Sequence, residues 1–311
     1  MSAQPSRLLD TSRPFTRATA KEHGITDTDL RRGPYVQLLN GVWVHQATTR
    51  SVALRARAAQ LLAPDGSVIS HQTAAMIYGG TVPHESRVHL IVGPRQCRQV
   101  SGVVAHRFRA RPDSQVVDGL RVTTPERTVA DLAGALDLVQ LVTLADRLVR
   151  RKKTTPAALQ LAAAGWDGRY LTPFRRAVGF VRAGVDSPKE SELRMLLVLA
   201  GFPEPTVDHR IVDPETGALL RRFELAWPAL RVAVEYQGAQ HRDDTDIWSA
   251  DFERRDETDH RDWRLVQVTG KQLREGPEQV LRRADTARRD RGAPAQRRFR
   301  DAFRRYFPGQ G

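Results

Sequence analysis

The chain has 311 residues, 49 Lys and Arg against 36 Asp and Glu, and a formal net charge of +13, a length that predicts two or three domains. One cysteine, Cys97, excludes a disulfide framework and any multi-cysteine zinc site, and the lack of a long apolar run argues against a signal peptide or a membrane span, so a cytoplasmic location is expected. The charge selects a polyanionic partner, DNA or RNA first, although only five of the 49 basic residues are lysine, which also fits the coding bias of a GC-rich genome.

Residues 16–22 predict a short helix stopped by His23-Gly24, and residues 26–32 a second helix with Thr26 as its cap. Asn40-Gly41 between the apolar runs 36–39 and 42–44 is a strong two-residue hairpin signal. Helix, helix and hairpin give winged-helix order over residues 13–46, with Arg31 and Arg32 as DNA contacts on the second helix. A helix-hairpin cap without DNA contact is the plainer reading. Residues 51–150 follow as an α/β unit: helices at 51–62 and from His71, a buried strand at 88–92, its partner at 103–108, and a strand turning into a helix near Pro125. His71, His89 and His106 invite a metal reading, but they fall on separate elements without ligand spacing such as His at i and i+4, and structural histidines are expected. Arg127 and Asp131 stand four apart and predict a helical ion pair. Residues 151–186 read as a helical connector.

The segment 13–46, followed by the phrases HQTAA, VHLIV and RTVADLA, resembles AbiEi-type antitoxins of abortive-infection toxin systems. The resemblance implies DNA binding and a cognate toxin as partner.

In residues 187–290 the chemistry is denser. Ser187, Pro188 and Glu190 form a helix start, the carboxyl serving as capping-box partner or as a catalytic group. Strands are predicted at 206–212, 219–227 and 230–237, the last two joined through Pro228-Ala229. Alternation leaves Phe223, Leu225 and Trp227 on one face of their strand and Glu224 on the other, while Val232, Val234 and Tyr236 oppose Glu235 and Gln237. A two-residue connection sets Glu224 opposite Ala233 and diagonal to Glu235, at roughly 7 Å. Two carboxylates so placed repel unless a proton or ion bridges them, and oxygen ligands suit Mg²⁺ or Mn²⁺. His241, just past the strand, is a leaving-group acid or a turn cap. Arg254 and Arg255, on a predicted helix, are phosphate contacts or part of a solvated face. Residues 291–311 are a basic tail or docking helix.

The strings SPKESELRMLLVLAGFPEP, FELAWPALRVAVEYQGAQH and WRLVQVT resemble the very-short-patch-repair-endonuclease-like domain of the PD-(D/E)XK nuclease superfamily. That resemblance implies a restriction-endonuclease-like αβββαβ core and metal-dependent phosphodiester hydrolysis. Glu224 and Glu235 would ligate Mg²⁺, Glu190 would assist, and Gln237 would stand where many members hold lysine. Two departures oppose turnover: the strand-two acid is Glu where Asp is common, and Gln237 is no general base near neutral pH. The chain therefore reads as a multidomain α/β (α+β) protein. It is a metal-dependent DNA endonuclease with an antitoxin-like N-terminal region, or a non-catalytic transcriptional regulator or antitoxin with a degenerate nuclease fold. A homodimer is compatible with either.

Overall fold

The computed structural model describes residues 9–93, 100–107, 112–238, 263–296 and 298–309. The chain is a mixed α/β protein that divides into two compact units, residues 1–134 with 165–170, and residues 135–164 with 171–311.

The first unit opens with two short helices, each started by a threonine in extended backbone. Thr16 accepts the Thr19 N–H ahead of α1 (Arg17–Glu22), and Thr26 accepts the Asp29 N–H ahead of α2 (Asp27–Arg32). Asp29 returns a bond to the Thr26 N–H at 2.8 Å and closes a capping box. Strands β1 (Phe15–Thr16), β2 (Tyr35–Leu39) and β3 (Val42–His45) form an antiparallel sheet in the order β1-β3-β2. The predicted hairpin turns at Gly41, whose φ of 87° is strained for a side chain but open to glycine. Phe15, Ala20 and Leu30 are the core of this element group, with Ile25, Tyr35 and Trp43 packed on them.

The same unit continues through α3 (Val52–Leu62), β4 (Val68–Ile69), α4 (His71–Ile77), β5 (Val88–Val92), β6 (Val103–Arg107), β7 (Ser114–Val117), β8 (Leu120–Thr123) and α5 (Pro125–Leu132). The mixed five-stranded sheet runs β6-β5-β4-β8-β7, with β5 parallel to β6 and β4 parallel to β8. All five residues of β5 are buried, His89 among four apolar side chains, as in a strand of a covered sheet. On α5, Arg127 Nε meets Asp131 Oδ1 at 2.8 Å, the expected ion pair.

The second unit holds α6 (Leu138–Arg150), α7 (Pro156–Gly165), α8 (Leu171–Val178), α9 (Pro188–Leu199), β9 (Thr206–Val212), β10 (Leu219–Trp227), β11 (Val232–Gln237), β12 (Arg264–Thr269), α10 (Gly270–Glu275) and α11 (Pro277–Arg289). Its sheet runs β12-β11-β10-β9, antiparallel except for the parallel β11 and β12 pair. Two expectations are corrected here. The β10-β11 connection is not a two-residue turn: Pro228–Leu230 winds as a 3-10 turn and Arg231 takes φ 52°, so Leu225 pairs with Val234 and Trp227 with Val232. That register, extended by one step, brings Glu224 level with Glu235 rather than with Ala233. Nor is one sheet face free for carboxylates along its length. Leu225, Ala226, Trp227 and Val232 to Val234 are all buried, so both faces are covered at this end.

What fastens α6 to α9 is a buried charge network. Arg194 is fully buried, and its guanidinium donates to Asp146 at 2.9 Å, to the Phe180 carbonyl at 2.7 Å and to Glu204 at 3.0 Å. Asp146 also accepts Ser191 Oγ and the Arg182 N–H, both at 2.8 Å. At the far end of the unit Phe303 and Phe307 are buried and Phe299 stacks on Phe202, through a 3-10 segment at Asp301–Arg305 rather than an α-helix. Arg194→Ala leaves Asp146 buried without its cation and is expected to cost about 3–5 kcal/mol in urea unfolding. The double variant Asp146→Leu/Arg194→Met, with no orphaned charge, is expected to recover most of that loss.

Candidate functional site

The acidic candidates of the second unit converge where β10 and β11 part. Beyond the Leu225 and Val234 pair the Tyr236 N–H is taken by a Glu224 carboxylate oxygen at 2.7 Å. Burial pushes the Glu224 carboxyl up to about 8; the Tyr236 N–H opposes this, while like charge on Glu190 and Glu235 reinforces it. Glu190, in the first turn of α9, is buried, and burial raises its carboxyl too. Its oxygen does not close a reciprocal box on the Ser187 N–H but accepts the Asp186 N–H, one residue earlier, at 3.0 Å. Glu235 stands 3.6 Å from the Arg221 guanidinium. Arg222 bridges Asp186 and Asp208 and lends positive charge to Glu224.

The expectation that Glu190, Glu224 and Glu235 lie near one another is thus met in space, but as an acid cluster balanced by the chain's own arginines. Among the described residues, the three glutamates do not form a convergent set of metal-ligating oxygens. Each already serves a protein group: Glu190 and Glu224 accept backbone N–H groups, and Glu235 faces Arg221. Gln237 ends β11, exposed. His241, Arg254 and Arg255 lie outside the described residues.

In the first unit Arg31 and Arg32 close the last turn of α2 and are both exposed, on the helix that leads into the β2-β3 hairpin. Arg17, at the start of α1, pairs with Asp27 at 2.9 Å.

A cluster that sequence reasoning scattered is brought together in this same unit. His71 heads α4, His89 lies on β5 and His106 on β6. The His71 and His106 rings stack with centroids 3.6 Å apart, and His89 Nδ1 lies 2.9 Å from His106 Nε2. Burial holds His71 down to about 3 and His106 to about 4, with neighbouring histidines adding to the effect, and lowers His89 as well. The signal was present in principle: His89 pairs with Val104, so His106, two residues on, projects from the same face. It needed knowledge that β5 and β6 are parallel neighbours.

Comparison with known proteins gives three results. Residues 67–178 match the AbiEi antitoxin C-terminal domain family. Two Mycobacterium tuberculosis proteins, the uncharacterized MT2308 of strain CDC 1551 / Oshkosh and the uncharacterized Rv2248 of strain H37Rv, are each 25% identical over 215 residues, 69% of this chain and 78% of theirs. A crystal structure of the RV2827C protein from Mycobacterium tuberculosis aligns with a TM-score of 0.37 at 16% identity, covering 67% of this chain and 86% of that one. No described helix is long and apolar enough to cross a membrane.

The raised Glu224 carboxyl sets a pH signature. Its ordinary value is 4.5, and in the fold it is about 8. Between the two the native state holds a proton that the unfolded chain has released, so stability from this group is lost as pH rises through that window. Glu224→Gln, neutral and still able to accept the Tyr236 N–H, is expected to melt a few degrees above wild type at pH 8 and close to it at pH 5. Parallel melting curves across that range would refute a proton held on Glu224.

Proposed function

We propose that this chain is a DNA-binding regulator of antitoxin type, which occupies DNA through residues 13–46 and works with a cognate toxin. The observation that carries this reading is the match of residues 67–178 to the AbiEi antitoxin C-terminal domain family. It is supported by the unit that precedes the match, two capped helices and a hairpin with Arg31 and Arg32 exposed at the end of the second helix. We read that unit as a winged helix. The net charge of +13 supplies the field that draws such a unit to DNA.

On the same reading the C-terminal unit, with its β12-β11-β10-β9 sheet, serves as a scaffold turned to binding. Arg221 and Arg222 balance carboxylates that a metal-dependent site would leave for an ion. One observation favours the catalytic alternative, the crowding of Glu190 and Glu235 on a buried Glu224, which a divalent cation would relieve.

Fluorescence anisotropy with duplex DNA from the chain's own promoter region, beside scrambled duplex, tests the proposal. Wild type is expected to prefer the promoter, and Arg31→Ala/Arg32→Ala to bind both duplexes more weakly, with the salt slope reduced by about 2 if each arginine neutralises one phosphate. The same preparations with EDTA, Mg²⁺ or Mn²⁺ are expected to leave plasmid DNA intact. Ion-dependent cutting that is lost in Glu235→Ala would replace the regulator reading with the phosphodiesterase one. Co-expression with the product of the adjacent reading frame tests the partner: growth arrest by that product is expected to be relieved by this chain.

A further inference from the structure

We propose that His71, His89 and His106 form a binding site for a single Zn²⁺-class transition-metal ion. Among the described residues they are the one group of three or more potential ligand side chains whose ligand atoms converge, all within 4.8 Å of one another. The site is held by three separate elements. His71 begins α4, His89 lies on the fully buried β5 and His106 on its parallel neighbour β6. The Ser70 N–H to the His89 carbonyl, at 3.0 Å, and the His89 N–H to Thr73 Oγ1, at 2.9 Å, lock the start of α4 against β5.

The ligand nitrogens converge, and ligation needs the stacked His71 and His106 rings, 3.6 Å apart, to turn so that both in-plane lone pairs meet one ion. His89 Nδ1 and His106 Nε2 lie 2.9 Å apart and share one proton. Two nitrogens at about 2.0–2.1 Å from a tetrahedral ion stand about 3.3 Å from each other, so an ion replaces that proton after opening the contact by a few tenths of an ångström. His71 Nδ1 meets Ser70 Oγ at 2.9 Å, which leaves its Nε2 free to ligate.

The outer contacts of the trio resemble those that metal-bound histidines use. His89 Nε2 is buried with no hydrogen-bond partner, and the Glu85 carboxylate stands 3.7 Å away. A metal on Nδ1 puts the ring proton on Nε2, facing that carboxylate, the arrangement that orients a ligating imidazole and raises its basicity. His71 also carries φ 50°, uncommon for a non-glycine residue and concentrated at sites where geometry is held for a purpose. Three neutral imidazoles select zinc, cobalt, nickel or copper over the magnesium class, which takes oxygen. This site is remote in composition from the glutamate cluster, and it stands whether or not the regulator reading does.

The test uses full-length protein stripped with chelator, then dialysed against Zn²⁺ in the presence of millimolar Mg²⁺. One Zn²⁺ per chain is expected, together with a rise in melting temperature, and Co²⁺ in its place is expected to give the visible bands of a four-coordinate nitrogen-rich site. His71→Ala and His106→Asn are each expected to weaken Zn²⁺ binding by more than about 100-fold, beyond the range of outer-shell changes, and Glu85→Gln by about 10-fold. His23→Ala, an exposed histidine on the helix-helix turn, is expected to leave it unchanged. Absence of bound Zn²⁺ in wild type, or retention in both His71→Ala and His106→Asn, overturns the proposal and leaves the trio as a proton-sharing core network. If both variants fail to fold, the Co²⁺ spectrum of wild type decides, since a site of oxygen ligands alone gives a different spectrum.

Discussion

The second unit depends on one buried ion pair. Arg194 and Asp146 have no contact with water, and taking both charges out of solvent costs several kcal/mol for each before their attraction is counted. The cost is offset because neither group keeps the pair to itself. Arg194 also reaches Phe180 O and Glu204, and Asp146 collects Ser191 and the Arg182 backbone. Those bonds fix α6, the end of α8 and α9 in one arrangement, and α9 in turn carries Glu190 to the place where β10 and β11 separate. A hydrophobic pair in the same volume would pack as tightly but would define that arrangement less narrowly.

In the acid cluster each carboxyl meets a group of the protein itself. Glu190 and Glu224 are each bound by a backbone N–H, Glu235 lies by Arg221, and Arg222 binds two aspartates nearby. The remaining tension is that Glu224 is most stable with its proton on. A residue in that condition grips by hydrogen bonding and contributes little field to its surroundings.

Much of this fold was legible in the sequence because its signals are local. The Thr26 cap, the Asn40-Gly41 hairpin, the Ser187-Pro188 helix start, and the strands at Thr206–Val212 and Leu219–Trp227 all depend on residues within a few positions of one another. The errors came where the deciding contact was not local. Nothing near Arg231 announces a left-handed residue, since arginine has no preference for it, and that one dihedral moved Glu224 from opposite Ala233 to level with Glu235. The histidines were read as structural because they lack helical ligand spacing; 17 residues separate His89 from His106, and only the parallel pairing of β5 with β6 brings them onto one face. The acids were found by type and strand, whereas their arginine partners were not, because Arg221 and Arg222 look like ordinary surface charge in a chain rich in arginine.

The division of the chain carries a further meaning. The backbone passes from the first unit to the second after Gly134, returns for residues 165–170, and leaves again at Leu171. The stretch that matches the antitoxin family, 67–178, contains all three passages. A single cut after Gly134 would free residues 1–134 but leave residues 165–170, part of the same unit, on the other fragment, so no one cut parts the two bodies cleanly.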